Sequence, residues 1–353
     1  MVKTKTAKKF FWCCILTIFF ILFICATAVV VIDPYFHYHK PLPGISYRMR
    51  EERYTNPGIA KNFDYQTIIT GTSMTRNFMP SQIDDLYDTT SVKLPVPGGK
   101  YGDIHVLLKT AFDANQNLER VIVTLDLDRI VDSYDDLNDD TVPYYLYDHN
   151  PFNDVNYVLN KTVLIHDCLG NLLNTLQGGS ASTLDSYGAY ENDTGKKQVL
   201  NQYQRSPAID TMKAYTDEIK HMVIRNVEEN YISLIAEHPD TEFLFVIPPY
   251  SIVYWDQAYR NGELSNQLQA EQDAVRLLLT YSNVSVYCFY EDTELICDLD
   301  NYYDMIHYDA DTSKWMMEQI KEHKYLLTEQ NLEEHCNHET EFFTHFAYET
   351  LFQ

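Results

Sequence analysis

Basic residues are in short supply. The chain has 27 Lys and Arg against 51 Asp and Glu, and its formal charge at pH 7 is −24. The first 32 residues contribute +4, so residues 33–353 carry −28. A nucleic-acid partner needs a basic footprint to neutralise phosphates, and this sequence offers none. Anionic lipid heads are excluded as a binding surface for the same reason, except at an anchor. A cationic or neutral partner fits better, with a solvated acidic surface as the default reading. Cysteine is sparse too. Three of the seven (Cys13, Cys14, Cys25) fall in an N-terminal apolar run, and Cys168, Cys288, Cys297 and Cys336 are irregularly spaced. That excludes a disulfide-built scaffold, although Cys288 and Cys297 could bridge after export. The P-loop pattern is missing as well: Pro97-Gly98-Gly99-Lys100-Tyr101-Gly102 has no Lys-Ser/Thr pair. No cofactor is expected.

What is present begins with Lys3, Lys5, Lys8 and Lys9, followed by Phe10 to Ile32 without a charge. Those 23 residues, at about 1.5 Å each, would cross the ~30 Å core of a bilayer. The lysines place the N-terminus in the cytoplasm and the rest of the chain outside, single-pass in the plasma membrane. Ala26-Thr27-Ala28 could pass as a signal-cleavage site, but Val29-Val30-Val31-Ile32 continues the apolar run beyond it. An uncleaved anchor is the expectation.

Tyr65 to Thr70 reads as a short buried strand, uncharged and rich in β-branched residues. Gly71 permits a sharp exit, and a helix is expected from about Thr75 to Asn77. Ser73 would then sit at a strand-to-helix turn, near the positive end of a helix dipole, where backbone amides can face an oxyanion. Far downstream, Asp304 and His307 are three residues apart in Asp304-Met305-Ile306-His307. At that spacing a carboxylate can orient an imidazole, and the imidazole can take a proton from a serine.

The Gly71-Thr72-Ser73 turn, with a final Asp-x-x-His block, resembles the SGNH/GDSL hydrolase superfamily. The similarity covers most of residues 60–325. With the N-terminal anchor, the chain looks like the branch typified by the D-alanyl transfer protein of lipoteichoic acid synthesis and polysaccharide O-acetylation proteins. The resemblance implies a flavodoxin-like three-layer α/β/α fold. It implies Ser73, Asp304 and His307 as catalytic residues. An oxyanion hole would come from the N–H groups of Ser73 and of Gly99 or Gly98. The superfamily often has an Asn just after the third strand as a further donor, but Asp126-Leu127-Asp128-Arg129 stands there. A carboxylate would repel an oxyanion, so the hole has two members or another donor, with Asn77 a conceivable substitute. The implied activity is a serine esterase or O-acyltransferase acting on a cell-envelope polymer or acylated carrier, with a membrane acyltransferase as a further partner. The alternative is a non-catalytic envelope protein that keeps the fold and binds a glycan or partner.

Strands at Ser91–Val96, Arg120–Leu125, Glu242–Ile247 and Val284–Phe289 alternate with amphipathic helices at 104–112, 211–237, 267–281 and 312–321. That alternation predicts a central parallel sheet of about five strands. The chain is thus divided into a cytoplasmic tail (1–9), an anchor (10–32) and a juxtamembrane connector (33–63) that packs loosely or on the domain's flank. A catalytic domain (64–325), with an insertion at about 132–205, and an acidic tail (326–353) follow. The insertion is rich in Tyr, Asp and Asn, which suits a variable solvated loop or a cap for sugars. In the tail, Glu333-Glu334-His335-Cys336-Asn337-His338 matches no closed zinc spacing, and no metal site is expected. His105 and His166 are expected to be packed or surface histidines.

Overall fold

The computed structural model describes residues 2–115, 117–138, 142–191, 193–209 and 211–352, with side chains from Thr6 onward. The chain divides into two compact units, residues 1–63 with 142–183, and residues 64–141 with 184–353.

In the first unit, Val2–Ile32 is one helix. Its segment Thr6–Ile32 is long and apolar enough to cross a membrane. The exit from this helix is fixed by Asp33, a buried residue at φ +46°. Its carboxylate accepts the N–H groups of His37 (3.0 Å), Tyr38 (2.7 Å) and His39 (3.0 Å) and the Tyr157 hydroxyl (2.8 Å). Burial pushes this carboxyl above its usual range, against the hydrogen bonds from Tyr157, Tyr38 and His39. Tyr35, Phe36, Tyr47 and Tyr157 are buried around it. The stretch after this helix is therefore packed; the sequence left open a loose connector or one packed on a flank. Ile165, Leu169, Leu173 and Leu176 leave an exposed apolar stripe at helical spacing in the same unit.

The second unit is built on a six-stranded sheet, in the order β2-β1-β3-β4-β5-β6. The strands are β1 (Thr67–Gly71), β2 (Ser91–Pro95), β3 (Arg120–Thr124), β4 (Glu242–Ile247), β5 (Val284–Cys288) and β6 (Leu326–Leu327). The first five pair in parallel and β6 pairs antiparallel with β5. All five residues of β1 are buried, which is why it reads as a continuous apolar run. The five parallel strands lie where the sequence placed them. The two-residue β6 leaves no such pattern to read.

β1 is flanked by β2 on one side and β3 on the other, so the strand order reverses there. The crevice outside the carboxyl ends of such strands is where open α/β sheets bind ligands. Buried tyrosine hydroxyls tie the loops at this edge together. Tyr302 donates to Pro249 O (2.8 Å), Tyr308 to Met74 O (2.9 Å) and Tyr101 to Asp126 O (3.0 Å). Each buries a large ring while its one polar atom is satisfied. Beyond Tyr325, the acidic stretch forms β6 and the helix Leu332–His345, whose Leu332, His335, Glu339 and Phe343 are buried.

Candidate active site

β1 ends at Gly71, whose φ of +138° is a conformation that side chains rarely adopt. A Cβ there would meet Thr124 Oγ1 at 2.1 Å. Ser73 follows two residues on, half-buried, as the first residue of the 3₁₀ turn Ser73–Thr75. The expected α-helix does not start at Thr75. Residues 77–79 are irregular, and the helix waits for Pro80–Tyr87, where Pro80 takes the first position. One 3₁₀ turn supplies little macrodipole, so the local amides rather than a helix provide the positive field at Ser73.

The loop after Asn301 brings the other two residues to this point. Ser73 Oγ lies 2.7 Å from His307 Nε2, and His307 Nδ1 lies 2.7 Å from Asp304 Oδ2. The second carboxylate oxygen, Oδ1, accepts the backbone N–H groups of Ile306 and His307, both at 2.9 Å. Burial raises the Asp304 carboxyl, but the His307 contact and the two amides outweigh it and hold it below the usual carboxylate range. An ionised carboxylate only accepts, so Nδ1 carries the proton and Nε2 offers its lone pair to the serine hydroxyl. The loop is clamped by Tyr303 N–H to His307 O (2.9 Å) and by the Ser251 hydroxyl to Met305 O (2.7 Å).

The other expected residues are placed as follows. The Gly98–Gly99 turn follows β2, with Gly98 at φ +62°. Gly99 N–H donates to Val96 O at 2.7 Å, closing the turn, and so does not point at an incoming group in this conformation. Gly98 O accepts from Asn138 Nδ2 (3.0 Å). Asn77 is buried; it donates from Nδ2 to Tyr308 O (3.0 Å) and accepts Tyr190 N–H on Oδ1 (3.1 Å). It holds two loops together beside Ser73. Asp126, just after β3, is buried and accepts the hydroxyls of Thr124 (2.7 Å) and Tyr250 (2.9 Å). Burial, then the neighbouring Asp128, pushes its carboxyl up to about 6, opposed by hydrogen bonds from Thr124, Tyr250 and Thr72. It therefore supports the residue preceding Ser73.

Sequence reading missed three residues. Tyr190, in the 132–205 insertion, places its ring centroid 5.1 Å from that of His307, and burial pushes its hydroxyl up, opposed by the neighbouring Arg76 and Ser73. The Arg76 guanidinium lies over the same ring at 4.9 Å. Lys93, fully buried in β2, donates to Arg76 O (2.5 Å) and Asp185 O (2.8 Å), joining the serine turn to the 185–190 loop. A lysine inside an otherwise apolar strand was the one available signal. A cleft of about 430 Å³ opens beside His307, lined by Gln202, Tyr203, Gln204 and Gln257 with residues 304–307. Ser73, His307 and Asp304 thus meet at the carboxyl end of β1, while the Gly99 N–H is engaged within its own turn.

No family model matches the chain. No curated protein matches it either. Among solved structures, a Streptococcus pneumonia protein provisionally described as a platelet activating factor aligns over 77% of this chain and 91% of its own. The identity is 12% and the TM-score 0.39, so the likeness carries no argument about function.

Proposed function

We propose that this protein is a membrane-anchored, extracytoplasmic serine esterase or O-acyltransferase of the SGNH type, acting on acyl esters of a cell-envelope polymer. The observation that carries the reading is the continuous Asp304–His307–Ser73 hydrogen-bond chain, with both contacts at 2.7 Å, at the point where the strand order reverses. The parallel-strand order 2-1-3-4-5 is the flavodoxin-like doubly wound order, which supports a three-layer α/β/α body. The apolar helix Thr6–Ile32 after four lysines, and the exposed Ile165–Leu176 stripe in its own unit, support an anchored, membrane-proximal placement with the N-terminus inside.

In this mechanism, His307 Nε2 takes the Ser73 proton as Oγ attacks the ester carbonyl. Asp304 holds the imidazolium that forms. The oxyanion is met by the Ser73 N–H, which as first in its turn has no acceptor within it. A second donor comes from the Gly98–Gly99 turn once Gly99 releases Val96. Collapse of the tetrahedral intermediate breaks the ester bond, and the leaving alkoxide takes the proton from Nε2. A water or a sugar hydroxyl then gives its proton to Nε2 and attacks the acyl-enzyme; the acyl–Oγ bond breaks and Ser73 Oγ takes the proton back from Nε2. In the cleft beside His307, the amides of Gln202, Gln204 and Gln257 can hold an acceptor hydroxyl, alongside the apolar Met305 and Ile306.

The second reading, a non-catalytic glycan- or partner-binding protein of the same fold, draws on the Gly99 N–H already committed to Val96 and on Asp126 in place of an amide donor. Fluorophosphonate labelling of the full-length chain in detergent, read by intact mass, separates the two. One adduct that is lost in Ser73→Ala supports the enzyme. A folded protein that never labels supports the binding protein.

A further inference from the structure

Away from Ser73, three elements of the second unit bring a mixed set of donors together out of contact with solvent. Glu271 lies on the helix Leu264–Leu278, Cys288 ends β5, and His335 lies on the helix Leu332–His345. All three are buried, and one donor atom from each lies within 4.8 Å of the other two. Glu271 Oε1 stands 3.9 Å from Cys288 Sγ and 3.5 Å from His335 Nε2. Ligand atoms of a zinc tetrahedron, with bonds of about 2.0–2.3 Å, stand roughly 3.3–3.8 Å apart. The two distances from Glu271 are already close to that figure, and the third pair lies within 4.8 Å.

The surroundings are those of a bound cation. Neither ring nitrogen of His335 makes a hydrogen bond, and neither does either carboxylate oxygen of Glu339, one helical turn further on and also buried. Burying an imidazole and a carboxylate without hydrogen bonds is costly, and native interiors avoid it; the ionic contacts here, at 3.5–4.0 Å, are too long to serve as such bonds. His335 Nδ1 faces Glu291 Oε1 and Glu339 Oε1, each at 4.0 Å, while the Tyr290 hydroxyl donates to Glu271 Oε2. A metal-bound histidine typically has a carboxylate behind its free nitrogen, and a ligating carboxylate has a donor on its second oxygen.

We propose that Glu271 Oε1, Cys288 Sγ and His335 Nε2 bind a zinc ion, with Glu339 and Tyr290 as outer contacts and a water completing the tetrahedron. Mixed sulfur, nitrogen and oxygen donors select zinc over magnesium or calcium, which take oxygen alone. Binding releases the Cys288 thiol proton, since the thiolate is the ligand. The role is structural. The ion fastens the helix Leu332–His345 to the end of β5 and to the helix Leu264–Leu278, and its residues are separate from Ser73, Asp304 and His307.

The test uses the full-length chain, purified in detergent without chelators. Elemental analysis should find about one zinc per chain, and chelation should lower Tm by several degrees, reversed by added zinc. Reloading with Co²⁺ should give a thiolate-to-cobalt charge-transfer band that Cys288→Ser lacks. Cys336→Ser and His338→Gln, on the same helix, should keep the metal. The site is overturned if the parent chain holds no metal above background even after zinc loading and its Tm ignores chelators. The cluster is then a buried imidazolium–carboxylate network. It is equally overturned if the cobalt band survives in Cys288→Ser or disappears in Cys336→Ser. The elemental and chelation readouts need no variant, so a misfolded substitution leaves them decisive.

Discussion

Asp304 holds His307 twice, by the ring through Oδ2 at 2.7 Å and by the backbone N–H through Oδ1 at 2.9 Å. The two contacts separate orientation from folding. In Asp304→Asn the amide oxygen can keep the backbone contact, while the amide N–H groups face Nδ1. The imidazole then carries its proton on Nε2 and cannot accept from Ser73. The fluorophosphonate labelling rate should fall by about 10³–10⁴-fold with little change in Tm. Asp304→Ala should lose labelling similarly and in addition about 1 kcal/mol of stability, from the lost turn contact. An Asn variant labelling at the parent rate would remove Asp304 from the mechanism.

Gly71 is required by space as well as by conformation. Its φ of +138° is strained for any side chain, and a Cβ would stand 2.1 Å from Thr124 Oγ1 and 3.0 Å from Thr124 N. Since Thr124 Oγ1 also donates to Asp126, it cannot move without breaking a buried contact. Gly71→Ala is expected to cost about 2–4 kcal/mol by denaturant titration and to displace Ser73 enough to abolish labelling. Near-parent stability would show that the turn relaxes freely.

How much of this was legible in the sequence differs by level. β1 to β5 could be read because strands buried on both faces are runs such as Thr67-Ile68-Ile69-Thr70, whatever surrounds them. Asp304 and His307 could be paired because they are local. That the Gly99 N–H closes onto Val96 O could not be read, because turn closure leaves no trace in residue identity. The contact between Asn77 and Tyr190 joins distant loops, so neither spacing nor composition signals it. The zinc reading fails in sequence for the same reason. His335 looked toward Cys336 and His338 on its own helix, while its partners Glu271 and Cys288 arrive from other elements.

Lys93 connects the serine turn to the 185–190 loop through two carbonyls, those of Arg76 and Asp185. Lys93→Met keeps the length and the apolar stem but leaves both carbonyls without this donor in a buried place. A loss of about 2–4 kcal/mol is expected. The labelling rate should fall as well, because the same loop carries Tyr190 against His307. Tyr190→Phe, which retains the ring and removes the hydroxyl near Ser73, should change the labelling rate without moving Tm by more than a degree or two. If Lys93→Met lowers stability but labels normally, the loop does not position the site.

Asp126 gives the chain a pH dependence with a definite sign. Burial, reinforced by Asp128, raises its carboxyl from the ordinary 3.8 to about 6 in the folded protein. The native state therefore holds this proton more tightly than the unfolded chain does. Stability from Asp126 is fully present below pH 4 and is lost as pH climbs to about 6, by up to about 3 kcal/mol. Asp126→Asn has no charge to desolvate, and its amide oxygen still accepts from Tyr250 while the Thr124 hydroxyl can rotate to accept the amide N–H. Relative to the parent, the variant should be near parity at pH 4, gain stability between pH 4 and 6, and hold a constant advantage above that. Urea titrations of both proteins from pH 4 to 8 measure the difference directly. A parent that instead gains on the variant as pH rises would mean that the hydroxyls of Thr72, Thr124 and Tyr250 favour the carboxylate strongly enough to outweigh its burial. The residue beneath the serine turn would then be a charge that the fold stabilises.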